Sequence, residues 1–142
     1  MSLYGVLDIA GSAMAAQSIR LNATASNLAN ADSITSNAAD TYRARRPVFA
    51  TALLEAEKSM GSVQGMGVQV KEVVESALDP IREYMPHHPL ADRDGYIFRP
   101  NVNPVEEMAD MVSASRSYQT VVQVADNAKQ MLLQTLKLGS SS

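Results

Sequence analysis

Hydrophobic and polar positions divide the chain into two long helical stretches and a middle of short alternating runs. From Leu3 to Ala31, Leu7, Met14, Leu21 and Leu28 stand seven apart, and Leu3, Ala10, Gln17, Thr24 and Ala31 form the interleaved set. That is the seam repeat by which two helices wind about each other. A surface helix normally carries a charged back. In this stretch Ala13, Ala15, Ala16, Ile19, Ala23, Ala25 and Ala29 fill the back, and Asp8 and Arg20 are its only side chains charged at neutral pH. A helix of about 45 Å with so little charge admits close neighbours from several sides, and one partner helix leaves much of it bare. Ser2 is placed to cap its start, and the short polar groups of Asn30, Asp32 and Ser33 favour its end.

The last stretch repeats the pattern. Met111, Tyr118, Ala125 and Leu132 form one set and Met108, Ser115, Val122, Lys129 and Leu136 the other. Asn103 as cap, Pro104 at the first helical position and Glu106 three residues after the cap open it. The helix is expected to run to Leu138 and stop at Gly139, with Lys137 near the carbonyl end.

Between them, residues 32–40 read as a loop. The run Thr41 to Phe49 mixes β-formers with Arg43, Arg45 and Arg46, and Pro47 confines any strand there to an edge or an end. Ala50 to Ser59 has helix-forming composition, and Gly61, Gly65 and Gly67 punctuate a turn. Strands are expected at Val68–Val73, Ile81–Met85 and Tyr96–Arg99, with turn chemistry at 91–95. The expected fold is therefore mainly α with a small β-rich insert. Residues 1–33 and 103–142 pair as an antiparallel coiled-coil hairpin, and residues 34–102 form an insert of short strands and loops.

Closing a loop of about seventy residues costs about 4 kcal/mol plus a constant, within reach of an apolar seam. This seam is poor, because Gln17, Thr24, Ser115 and Lys129 stand where Leu or Ile would hold a stable pair. The isolated chain is expected to be marginal, with other subunits covering the remaining apolar surface.

Composition narrows the function. A net charge of −3 over 142 residues gives no basic field for nucleic acid or a membrane surface. There is no cysteine, so thiol chemistry is excluded. Ala13-Met14-Ala15 imitates a signal-peptidase site, but no Lys or Arg precedes it and Asp8 interrupts the apolar run; it reads as helix. No apolar run reaches the eighteen residues of a membrane span. His87 and His88 with Asp92 and Asp94 are the nearest approach to a metal cluster, but adjacent histidines point apart, and unliganded loop residues are the better reading. Asp92-Arg93-Asp94-Gly95 lacks the later glutamate of a calcium loop. Arg43, Arg45 and Arg46 read as a solvated strand face, or as partners of acidic groups such as Glu72, Glu75, Glu106 and Glu107 on a neighbour. No catalytic residue, metal site or cofactor is expected.

Several runs resemble the bacterial flagellar axial proteins, most closely proximal-rod proteins of the FlgC type. They are Asp8-Ile9-Ala10-Gly11-Ser12-Ala13, Gln17 to Asn22, and Ala25-Ser26-Asn27-Leu28-Ala29-Asn30-Ala31-Asp32-Ser33, which is similar to the rod and hook signature with Ser33 in the Thr place. Towards the end they are Gly95-Tyr96, Pro100 to Met108, Ala114 to Tyr118 and Lys129 to Leu132. The loop before Tyr42 and the His87-His88 pair depart from the pattern. The resemblance implies a structural subunit that polymerises helically with copies of itself and other rod proteins into a torque-transmitting drive shaft and export channel. It implies export by the flagellar apparatus without a cleaved signal, and a place in the basal-body rod crossing the periplasm, with no nucleic acid, small-molecule substrate or membrane insertion. The expected packing and interface residues are Leu7, Met14, Leu21, Asn27, Leu28, Asn30, Met111, Tyr118, Val122, Leu132 and Leu136. Rival readings are a distal-rod or hook-like relative, a soluble coiled-coil adaptor, and a metal-dependent enzyme using His87 and His88.

Overall fold

The computed structural model describes residues 2–53 and 66–140. The elements run α1 (Leu3–Asn30), β1 (Arg45–Leu53), β2 (Met66–Glu75), β3 (Ile81–Tyr84), β4 (Tyr96–Arg99) and α2 (Pro104–Ser140), with a 3-10 turn at Ala38–Asp40. The two helices pack together as an antiparallel pair, and the middle is short strands and loops. Ser2 caps α1, its Oγ accepting from the Gly5 N–H at 3.2 Å. At the other end Ser33 donates from both its N–H and its hydroxyl to the Asn30 carbonyl. Asn103 caps α2 by accepting from the Val105 N–H at 3.1 Å.

Two expectations about element limits are corrected. The last helix does not stop at Gly139 but continues to Ser140. A glycine in a final turn costs only about 1 kcal/mol relative to alanine, and Gly95 is the one described glycine with the positive φ of a left-handed cap. Ala50 to Leu53 is strand rather than helix, because pairing with β2 outweighs local composition. The rest of that segment, with Gly61 and Gly65, lies outside the described residues, and Gly67 is a buried residue of β2. Pro47 is tolerated within β1 because, among the described residues, the β1–β2 sheet has two strands and both are edges.

The chain divides into two compact units. One comprises Met1–Ile19, Val48–Glu72 and Ala114–Ser142. In it Val6, Ile9, Ala10 and Ala13 of α1 and Val121 and Val124 of α2 line a common cleft of about 240 Å³. β2 is tied to α1 by the Val68 N–H donating to Ser12 Oγ at 3.1 Å.

The other unit comprises Arg20–Pro47 and Val73–Ser113. Arg20 bonds Asp110 at 3.0 Å and Asn27 bonds Glu107 at 3.1 Å. Moving forward along α1 thus means moving backward along α2, as an antiparallel pair requires. The Ser76 N–H donates to the Ala44 carbonyl at 2.8 Å, so the end of β2 lies beside the start of β1 and that ribbon is antiparallel too. β3 pairs antiparallel with β4, Arg82 opposite Phe98 and Tyr84 opposite Tyr96. Phe98 also exchanges both backbone hydrogen bonds with Thr35. Ile97 has no exposed surface.

The buried stripes overlap the expected seams only in part: Ala10, Thr24 and Ala31 of the interleaved α1 set are buried, and the rest shifts. On α2 the buried positions are Glu107, Ala114 and Ala128, each one residue before the expected Met108, Ser115 and Lys129, of which Met108 and Lys129 are exposed. On α1 the buried positions are Ala10, Ala16, Ala23, Thr24 and Asn27, whereas Leu7, Met14, Leu21 and Leu28 are only half-buried. Every buried apolar side chain within the two helices is thus an alanine. Small groups at the contact let two backbones approach closely, and the longer leucines and methionines are left on the flanks.

Candidate assembly surface

The expected interface residues do not share one environment. Leu7, Met14, Leu21, Leu28, Met111, Tyr118, Val122 and Leu132 are half-buried, each with part of an apolar side chain outside. Leu136 is exposed; at 37 residues α2 outlasts the 28 of α1. Asn30 is half-buried, its Nδ2 donating to the Ser26 carbonyl at 2.8 Å. Asn27 is 1% exposed and belongs to an internal polar cluster.

That cluster was not legible in the sequence. Asn27 Nδ2 donates to the Arg45 carbonyl at 2.9 Å and to Glu107 Oε2 at 3.1 Å. Its Oδ1 accepts from Tyr42 Oη and from the Arg45 N–H, both at 2.8 Å. Glu107, 2% exposed, also meets Arg46 at 3.6 Å. The arginines pair within their own chain: Arg45 with Glu75 at 3.4 Å, and Arg46 with Glu107 and, at 3.8 Å, Asp110. Arg43 donates to the carbonyls of Ser76 and Leu78. Arg45 and Arg46 do stand on an exposed face, 49% and 57% open, but the acids they meet are those of their own chain and not a neighbour's, the chain reversal having brought these acids alongside.

Outside this cluster many large apolar side chains are exposed. Val105, Met108 and Val112, at i, i+3 and i+7, form an exposed ridge along the start of α2. Val124, Met131 and Leu138, seven apart, form another along its end. Both spacings are visible in the sequence. The cleft between Val6, Ile9, Ala10 and Ala13 on one helix and Val121 and Val124 on the other opens on this surface and has a wholly apolar lining. Gln17 Oε1 is buried with no hydrogen-bond partner, which costs stability.

The histidines form no site of their own. His88 Nδ1 accepts from the Leu90 N–H at 3.1 Å, which closes a loop. Asp92 Oδ1 accepts from the N–H groups of Asp94 and Tyr96, which makes the tight turn. Among the described residues no group of His, Asp and Glu could hold a metal, and no helix is long and apolar enough to cross a membrane.

Comparison with known proteins bears on what such a surface serves. A family described as flagella basal body rod protein matches residues 7–38, and one described as flagellar basal body rod FlgEFG protein C-terminal matches residues 93–138. The chain is 48% identical to the flagellar basal-body rod protein FlgC of Salmonella typhimurium, over 98% of this chain and 99% of that one. The chain belongs to the FlgC family of flagellar basal-body rod proteins. Similarity extends to the FlgC of Yersinia enterocolitica, at 43% identity, and of Bacillus subtilis, at 32%, each over 98% of this chain and 99% of the relative. As a FlgC-family protein it is a structural, axial component of the basal-body rod, not an enzyme. The matched segment at residues 7–38 holds most of α1, and that at 93–138 holds most of α2, so the apolar ridges lie on the parts that match, as do Asn27 and Glu107 of the polar cluster, whereas Tyr42, Arg45 and Arg46 fall between them.

Proposed function

We propose that this FlgC-family chain is a repeating wall element of the proximal rod, packing side by side with copies of itself and with other rod proteins through the apolar flanks of its helix pair. The residues taken to make these contacts are Leu7, Met14, Leu21, Leu28, Met111, Tyr118, Val122, Leu132 and Leu136, with Asn27 and Asn30 shaping the helix that carries them. The helices of residues 1–33 and 103–142 form the core of that wall, and the insert of residues 34–102 lies with its neighbours. The observation that carries this reading is the exposed apolar surface on α2, with Val105 73% and Leu138 71% exposed, far more than one chain needs for its own burial. A contact between unlike patches does not close on itself, and repeated it generates an open helical wall that transmits torque and encloses a channel. Delivery by the flagellar export apparatus without a cleaved leader, and a final place in the rod where it crosses the periplasm, complete the proposal.

Leu21→Asp and Val124→Asp test it by setting a charge in surfaces that assembly would dehydrate. Both variants should keep the helical circular dichroism of the purified chain yet abolish swimming and leave basal bodies without complete rods. Normal rods and motility in both strains would refute it.

A further inference from the structure

We propose that Asn27 is the pin that sets the pairing register of α1 and α2, a role separate from contacts between subunits. The apolar part of the seam does not choose a register. Ala16 and Ala23 on α1 stand seven apart, and Ala114 and Ala128 on α2 flank the half-buried Val121 at the same spacing, so a slide of one heptad again faces small or β-branched apolar groups with one another. Nor does burial resist a slide of α1 towards the end of α2. There Leu133 and Leu136 stand exposed and would gain cover.

Asn27 discriminates because its hydrogen-bonding capacity is full. An amide side chain offers two donors and two acceptor sites, and all four are used, by Tyr42, by the N–H and the carbonyl of Arg45, and by Glu107. A slide of seven residues would face Asn27 with Ala114, which is 0% exposed and brings no side-chain polar group. It would also strand Glu107 and part Arg20 from Asp110. Leaving buried polar groups unpaired is what makes one polar residue in a helix seam decide alignment at some cost in stability. Because Arg45 opens β1, the pin fixes the root of the ribbon as well.

The chain has no cysteine, so introduced pairs report cleanly. Ala13 and Val121 line one cleft, and Ala13→Cys with Val121→Cys reads the native register. Ala13→Cys with Ala128→Cys reads a slide of one heptad. Oxidised in the dilute full-length chain and scored at monomer mass, the native pair should close and the displaced pair should not. Adding Asn27→Leu should raise the ratio of displaced to native product about ten-fold or more. An unchanged ratio would overturn the proposal. Should Asn27→Leu lose its helical signal, Glu107→Gln and Glu107→Leu supply the same test. Gln still accepts from Asn27 and should keep the native pattern, whereas Leu should spread it, and identical patterns in the two would overturn the proposal.

Discussion

Arg46→Met removes a charge from the edge of the internal cluster and keeps most of the aliphatic stem. Its target is Glu107, whose side chain is 3% exposed and meets the guanidinium at 3.6 Å. At that distance two unit charges attract by about 1 kcal/mol in water and about 5 kcal/mol at an effective dielectric near 20. The two partners are not equally dry, because Arg46 is 57% exposed and solvent and salt screen it, which pulls the value towards the lower bound. Loss of the counter-ion leaves the carboxylate with Asn27 Nδ2 as its side-chain donor, which argues against a negligible effect. The expected destabilisation is about 2 kcal/mol, a large share of the roughly 5–15 kcal/mol that a domain has. Urea unfolding followed by helical circular dichroism measures it. In a Glu107→Gln background the same substitution should cost little, since Asp110 is farther from Arg46, at 3.8 Å, and is already held by Arg20 at 3.0 Å. Equal losses in the two backgrounds, or a loss below about 0.5 kcal/mol in the first, would refute the assignment of Arg46 as the counter-ion of Glu107.

Ile97→Ala empties a site with no exposed surface on β4 and should cost about 3 kcal/mol, read as a lower urea midpoint with unchanged slope; a loss under about 1 kcal/mol would mean the site collapses freely. Gly95→Val should cost about 2 kcal/mol, because φ is +81° and a Cβ there would stand 2.9 Å from the Tyr84 ring and 3.1 Å from Pro86 Cβ. Its proton spectrum should show the Tyr84 and Tyr96 ring signals displaced, and an unperturbed spectrum would count against the crowding. Asn103→Ala deletes the cap of α2 and should lose about 1 kcal/mol, recovered by Asn103→Ser in the same unfolding assay.

What could be read without coordinates was what depends on near neighbours in the chain. Ser2 and Asn103 are caps because their side chains reach N–H groups two or three residues ahead, and the turn at Asp92 closes on Asp94 and Tyr96. The heptads announced two long helices and an antiparallel return between them. Sequence also carried the family, through runs that lie mainly on the two helices.

Which stripe of each helix faces inward was another matter. On α2 a one-residue change of set exchanges Lys129 for Ala128 and Met108 for Glu107, and a repeat pattern alone does not separate two adjacent sets that both contain polar residues. Close approach of alanine surfaces settled it, since packing depends on the shape of the partner. Ala50 to Leu53 became strand for the same kind of reason, the distant β2 outweighing local preference. The polar cluster depended most on tertiary structure. Asn27, Tyr42, Arg45, Arg46 and Glu107 meet across separations of up to 80 residues, and hydrogen bonds and ion pairs act over a few ångströms in space whatever their distance along the chain.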